Sequence, residues 1–234
     1  MKNSLKLLFV LTIVFLFTSC GRGPLGCPDG EIEWIHALKI KDVKYEHDFP
    51  DPHDQVELNI VQGDELGEVS YKMADDACSY YKMKNGDATY LEEGTTIYSI
   101  KDTPISLAVL ANDQVFVVEQ NTKAKTVGEY YPIKGLIKSI HIESTLDGRR
   151  LHTFSDASTK VFLEEWLALP LQNQEKLLKG NTDDQKSIFL EFELNNGITF
   201  REVYWRDNKT FHVDAVGTER LAETIEKEYS LIHE

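Results

Sequence analysis

The sequence predicts an α+β fold, with an antiparallel β-rich body and helices mainly in the C-terminal third. Between residues 31 and 154, short stretches of β-branched and aromatic residues alternate with turn signals such as Asn85-Gly86 and Asn112-Asp113. Beyond residue 155, apolar residues recur at helical spacing in two segments. These patterns indicate many short strands, followed by a part in which helices and strands are mixed.

The first half is predicted as a succession of strands joined by turns or short loops. Asn112-Asp113 lies between two apolar runs and predicts a hairpin, whereas residues 45–53 are polar, contain two prolines and predict a loop. The expected strands lie at residues 31–46 (one or two strands), 56–60, 67–73, 88–91, 95–100, 105–110, 115–119, 137–142 and 151–154.

The helices are predicted from caps and stop signals. Ser155 or Asp156 is expected to cap a helix that Pro170 terminates. Thr218 is expected to cap a last helix, and residues 173–179 are consistent with a further helical turn.

A hairpin is predicted at residues 190–200, where apolar residues alternate with Glu191 and Glu193 before an Asn-Asn-Gly turn. The alternation predicts that both carboxylates face solvent, with Arg201 as a cross-strand ion-pair partner. A catalytic carboxylate pair is the disfavoured alternative. The alternation slips between Arg201 and Val203, which predicts a β-bulge.

The first twenty residues have the order of a bacterial secretory signal. Lys2 and Lys6 precede an apolar run at residues 7–17, and small residues then lead to Cys20. The sequence FTSC resembles the cleavage box of bacterial lipoprotein (type II) signal peptides, although Phe17 stands where leucine is usual. The resemblance implies cleavage before Cys20 and transfer of a diacylglyceryl group to its thiol.

The alternatives are an uncut anchor and secretion without lipidation. A membrane-spanning helix needs about 20 apolar residues, and the run here is much shorter. Residues 20–30 are rich in glycine and proline and predict a tether. About ten residues reach no more than about 35 Å, so the folded part is expected near the extracytoplasmic face of the cell membrane.

The chain is acidic, with a formal net charge of −14. This acidity argues against nucleic acid as a partner, because nucleic-acid binding needs a basic face. It also argues against the folded part lying on an anionic bilayer. The simplest interpretation of the charge is solubility.

The other two cysteines, Cys27 and Cys78, could form a disulfide outside the cytoplasm, and two independent thiols are the alternative. A disulfide would tie the end of the tether to the first β region. The tryptophans, at positions 34, 166 and 205, occur in apolar patterns and are expected in the core.

One polar cluster in the sequence suggests a metal-binding site. The 45–54 loop places His47, Asp48, Asp51 and His53 within a few residues, and imidazole with carboxylate suits Zn²⁺ or a similar ion. A solvated acidic loop is the favoured alternative, because neighbouring side chains on a loop often point apart. No nucleophile elbow, P-loop, dinucleotide fingerprint or HExxH motif occurs, so no catalytic residue and no cofactor is predicted.

The stretch KNGDATYLEEGTTIYSIKD at residues 84–102 resembles a segment of uncharacterised secreted and lipid-anchored proteins of Bacillus-type bacteria. The likeness extends over much of the chain from residue 34 onward. Its motifs are turns and β residues, so it implies a membrane lipoprotein and no particular activity.

The predicted organisation has four parts. Residues 1–19 form a cleaved signal peptide and 20–30 the tether, while 31–125 form a β-rich subdomain and 126–234 an α+β subdomain. One continuous domain over residues 31–234 is the alternative. The predicted function is that of an anchored binding protein for an unknown protein or small-molecule ligand. The alternatives are an enzyme whose site is not visible in the sequence, and metal binding by the 45–54 loop.

Overall fold

The computed structural model of the protein describes residues 35–47, 58–172 and 187–232. Within these residues the chain forms fourteen strands in two sheets and four helices. The strands pair antiparallel with one exception, and the two longer helices lie in the C-terminal third. The predicted α+β class is therefore confirmed.

The first sheet contains eight strands in the order β3-β6-β7-β8-β2-β1-β5-β4, of which only β4 and β5 are parallel. Asn112 and Asp113, with φ of 49° and 59°, form the predicted two-residue turn between β7 and β8. The strands are β1 (Ala37–Ile40), β2 (Val43–Glu46), β3 (Gln62–Glu68), β4 (Tyr71–Lys72), β5 (Asp87–Ala88), β6 (Thr96–Ile100), β7 (Ala108–Ala111) and β8 (Gln114–Asn121).

The strand predicted at residues 56–60 is wrong over its described part, because residues 58–60 belong to no strand. The strand β3 follows instead, over the polar sequence QGDELGE. Among the described strands it lies at the sheet edge and pairs only with β6, so its side chains are half exposed and need no apolar alternation. Gly63 permits this pairing, because a Cβ there would come within 2.4 Å of Ser99 Oγ.

The second sheet contains six strands in the order β10-β9-β11-β12-β13-β14. The predicted hairpin is formed by β11 and β12, and Gly197 in its turn has φ of 84°. The strands are β9 (Ile137–Glu143), β10 (Arg150–Thr153), β11 (Ser187–Leu194), β12 (Thr199–Trp205), β13 (Thr210–Phe211) and β14 (Ala215–Val216).

The predicted bulge between Arg201 and Val203 is wrong. The pairing of β11 with β12 runs without a register shift from Thr199 to Trp205. The apolar alternation slips because Glu202 occupies a position on the buried face, 1 % exposed.

The helices follow the predicted caps. Ser155 Oγ accepts a hydrogen bond from Ser158 N at 3.3 Å, and Thr218 Oγ1 accepts one from Leu221 N at 3.1 Å. The predicted turn at residues 173–179 lies outside the described residues. No helix in the described part of the chain is long and apolar enough to cross a membrane. The helices are α1 (Met73–Asp76), α2 (Val127–Tyr130), α3 (Asp156–Trp166) and α4 (Glu219–Tyr229).

One hydrophobic cluster includes residues of both sheets and of the two long helices. Trp166 is fully buried in it, as predicted, and stacks on Phe192 with ring centroids 4.7 Å apart. Trp205 is only partly buried, and Trp34 lies outside the described residues. All strands of the first sheet precede residue 122 and all strands of the second follow residue 136. Two subdomains and one continuous domain therefore both remain hypotheses.

Candidate functional site

Most of the predicted site residues lie outside the described part of the chain. This holds for Cys20, Cys27, Asp48, Asp51 and His53. The pairing of Cys27 with Cys78 therefore stays a prediction, although Cys78 itself is disulfide-bonded.

His47 is the one candidate metal ligand that the structure describes. Its Nδ1 donates to the carbonyl oxygen of Val115 at 2.8 Å, so only Nε2 could ligate a metal. The ring also contacts His36 and Phe116, with centroids 5.4 Å away in each case. Within the described ranges, no group of three or more His, Cys, Asp or Glu residues could hold a metal. Metal binding by the 45–54 loop stays a hypothesis.

The predicted solvent exposure of Glu191 and Glu193 is wrong, because these residues are 0 % and 3 % exposed. They lie on the face of β11 opposite the apolar core, where an ionic cluster covers them. Arg150 Nε donates to Glu191 Oε2 at 2.6 Å, and its Nη1 donates to Glu193 Oε2 at 2.9 Å. The cluster comprises Lys138, Glu143, Arg150, Glu191, Glu193 and Arg201.

Arg201 contacts a different carboxylate from the one predicted. Its Cα lies opposite Glu191 in the β11–β12 register, but its Nε bonds both carboxylate oxygens of Glu143, at 3.1 and 2.9 Å. The three carboxylates of the ionic cluster are thus accompanied by three cations. Buried carboxylates need such partners, since an uncompensated charge away from water costs several kcal/mol.

The electrostatics of Glu193 do not suit acid catalysis. Burial favours the neutral form of Glu193, but the hydrogen bond from Lys138 and the charge of Arg150 outweigh it and lower its pKa. A general acid in glycoside hydrolysis needs a raised pKa. The cluster is therefore best described as a structural charge network.

A cleft of about 530 Å³ lies between the two sheets. Strand β8, with Glu46 of β2, forms one wall, and β12 with the β13–β14 connection forms the other. Tyr130, Tyr131 and Phe200 provide an aromatic surface, in which Tyr131 stacks on Phe200 with centroids 4.6 Å apart. The polar lining residues are Glu46, Glu119, Gln120, Asn121, Thr122, Gln172, Thr199, Arg201, His212 and Asp214.

Burial and neighbouring charges shift the pKa values of two side chains in the cleft. Burial raises the pKa of Tyr130, and the neighbouring Glu119, Glu202 and Asp214 raise it further. Tyr130 Oη donates to the backbone carbonyl of Glu119. Burial also raises the pKa of Asp214, which the charge of His212 opposes. The cleft thus combines a ring surface with acceptor oxygens, an arrangement suited to a neutral or cationic polar ligand.

Behind one wall of the cleft lies Glu202. Burial raises its pKa to about 8, although the backbone amides of Val203, His212 and Val213 favour the ionised form. Val203 N donates to Oε1 at 2.9 Å, and Oε2 has no hydrogen-bond partner among the described residues. At neutral pH this side chain is therefore mainly a neutral carboxylic acid.

Comparison of the chain with protein-family models, with curated proteins and with solved structures found no match.

Sequence reasoning missed the cleft because its lining residues come from separate parts of the chain and form no linear motif. The ionic cluster had a detectable signal. Two acidic residues alternate with apolar ones on β11. Basic residues occur at positions 138, 150 and 201, on strands β9, β10 and β12 of the same sheet. The inward orientation of Glu202 also had a signal in the sequence, because the alternation of apolar and polar residues slips at this position of β12.

Proposed function

We propose that this chain is a lipid-anchored extracytoplasmic binding protein that holds a small polar molecule or a peptide segment in the cleft between its two sheets. The observation that carries the proposal is the cleft itself. Its volume of about 530 Å³ lies within the range of small-molecule sites, and such sites favour junctions between structural units. The lining contains three carboxylates, Glu46, Glu119 and Asp214, against one arginine, Arg201, and this excess of negative charge favours a ligand that is neutral or cationic.

The location follows from the sequence of the first twenty residues. A diacylglyceryl group on Cys20, with further acylation in many species, gives the multiple chains that stable membrane anchoring needs. The disulfide at Cys78 supports this location, because structural disulfides persist in oxidising compartments. With Cys20 acylated, Cys27 is the cysteine left to pair with Cys78.

Replacing Cys20 with serine is expected to yield protein that is uncut or released from the membrane, because the serine hydroxyl does not accept the lipid. Membrane fractionation with intact-mass measurement checks this result. Cys27→Ser is the matched control and is expected to remain processed and membrane-bound. The anchor is refuted if Cys20→Ser fractionates and has the same processed mass as the wild type.

Filling the cleft is expected to prevent ligand binding. Ala124 lines the cleft, so Ala124→Trp occupies its space, whereas Ala157→Trp on the exposed face of α3 makes the same change elsewhere. Native mass spectrometry of the full lipoprotein, purified in mild detergent, is expected to show a bound mass that Ala124→Trp abolishes and Ala157→Trp retains. A mass retained by both variants, or absent from the wild type, contradicts ligand binding in the cleft.

An enzyme acting at the same cleft is the second candidate. The observation that favours it is the position of Asp214 in the cleft lining, where burial raises the pKa of this carboxyl in the direction that a general acid needs. Asp214→Asn distinguishes the two functions, since an enzyme would stop converting its bound ligand whereas a binding protein would convert none in either form. Incubation of the copurified ligand with both proteins, followed by mass analysis, decides between them.

A further inference from the structure

A second cavity, of about 480 Å³, lies on the outer face of the first sheet. The apolar residues Leu38 and Tyr45 point into the core, so the alternation of β1 and β2 places Lys39 and Lys44 on the opposite face. The segment at residues 81–83 lines the cavity from the other side, and Gln120 of β8 completes its floor.

The cavity is basic in an acidic protein. Lys39, Lys44 and Lys82 line it, and no acidic residue belongs to its described lining, although the chain carries a net charge of −14. Lys39 and Lys44 are directly opposed in the β1–β2 register, an arrangement of like charges that is unfavourable without a counter-ion.

Two carboxylates, Asp42 and Glu119, lie near Lys39 and Lys44, and neither lines the cavity. Lys39 Nζ donates to the backbone carbonyl of Met83 at 3.2 Å, a neutral acceptor. Lys44 Nζ lies 3.2 Å from Glu119 Oε2. Lys82 is exposed and has no ion-pair or hydrogen-bond partner among the residues the structure describes. The cavity therefore has a positive charge that an anion would balance.

The remaining lining indicates the kind of anion. Met73 and Met83, with Ile35 and the ring of Tyr81, give the cavity an apolar part beside its ammonium groups. Lysine ammonium groups bind phosphate as compact point charges. A charged head attached to a short apolar or glycerol portion fits this combination of walls.

The position of the cavity favours a membrane source, and its local positive charge would let this face meet an anionic headgroup that the acidic remainder of the surface repels. Ile35, at its edge, is the first residue that the structure describes and lies five residues after the predicted tether at residues 20–30. If Cys20 carries the lipid, as the proposed function has it, about fifteen residues separate the bilayer from this edge, a distance of at most about 50 Å.

We propose that this cavity binds a phosphate group, supplied by the headgroup of an anionic phospholipid or by a soluble phosphate ester. The lysines of β1, β2 and the 81–83 segment hold the phosphate oxygens, and the methionines contact the adjoining glycerol carbons. Only the lipid source rests on the proposed function, since a soluble phosphate needs no anchor.

Lysine footprinting tests the proposal on the full lipoprotein reconstituted in vesicles. An amine-reactive label is applied in phosphatidylcholine vesicles, in the same vesicles with glycerol phosphate, and in vesicles containing phosphatidylglycerol, all at one ionic strength. Labelling of Lys44 and Lys82 is expected to slow by about threefold or more when the site is mostly occupied. Lys160, exposed on α3, serves as the internal reference and is expected to label equally throughout.

If labelling of Lys44 and Lys82 slows only in vesicles containing phosphatidylglycerol, the lipid headgroup is the source of the phosphate. If it slows only with glycerol phosphate, the source is a soluble ester. Lys82→Gln combined with Lys39→Gln is expected to abolish the slowing at Lys44, whereas Lys160→Gln is expected to preserve it. The proposal is overturned if neither phosphate slows labelling of Lys44 and Lys82, if Lys160 slows equally, or if the double variant keeps the effect. Labelling with glycerol phosphate is repeated on the protein in detergent, where no membrane is needed. This measurement tests the cavity independently of the Cys20→Ser test of the anchor and the Ala124→Trp test of the cleft.

Discussion

Replacing Arg150 with alanine is expected to lower the free energy of unfolding by about 3–5 kcal/mol, the cost of removing one partner from a buried ion pair. Its guanidinium contacts Glu191 at 2.6 Å and Glu193 at 2.9 Å, and these carboxylate side chains are only 0 % and 4 % exposed. Without it, Glu191 loses the cation that holds its Oε2. Urea unfolding at neutral pH measures the difference.

The neighbouring Arg149 supplies the control for this variant. It is 66 % exposed and, among the residues that the structure describes, pairs only with exposed Asp147, so Arg149→Ala is expected to change stability by no more than about 0.5 kcal/mol. Adding Glu191→Gln to Arg150→Ala removes the uncompensated charge and is expected to restore part of the loss. An Arg150→Ala variant as stable as Arg149→Ala would show that the ionic cluster does not hold these carboxylates in their buried positions.

Replacing Glu202 with glutamine is expected to remove a pH dependence of stability. The pKa of this carboxyl is raised from 4.5 to about 8 in the folded protein. Its contribution is fully present below about pH 4.5 and is lost as the pH rises to about 8, because the unfolded chain releases the proton first. The loss is on the order of 4 kcal/mol across that window.

The comparison is between pH profiles of unfolding free energy. The wild type is expected to lose stability from about pH 5 to about pH 8 more steeply than Glu202→Gln, with the variant relatively more stable at the alkaline end. Glu223→Gln, at an exposed position on α4, is expected to keep the wild-type slope. Parallel profiles for the wild type and Glu202→Gln would mean that Glu202 is not a buried neutral acid.

Local signals were enough to predict much of the fold. The Asn112-Asp113 turn and the capping hydroxyls of Ser155 and Thr218 act within a few residues of themselves, so a sequence pattern reports them directly. Strand β3 was not predicted because its polar side chains give no β pattern. As an edge strand it is held by backbone pairing with β6.

The buried charges could not be placed in the same way. Alternation on β11 indicates two faces but does not say what covers the second one, and Arg150 lies 41 residues from Glu191 in sequence. The inward turn of Glu202 contradicts the ordinary preference of carboxylates for water. The cleft depends on how two sheets pack, a long-range arrangement that no segment of sequence encodes alone.

Whether a ligand occupies the cleft between the sheets is tested by site-specific photo-crosslinking in intact membranes. A photoreactive phenylalanine derivative at Gln172, on the exposed rim of the cleft, is compared with one at Leu146, which is 95 % exposed outside it. We expect an adduct at Gln172 that is absent at Leu146 and that disappears when Ala124→Trp fills the cleft. No adduct at Gln172, the same adduct at Leu146, or an adduct that persists beside Trp at position 124 would contradict ligand binding in the cleft.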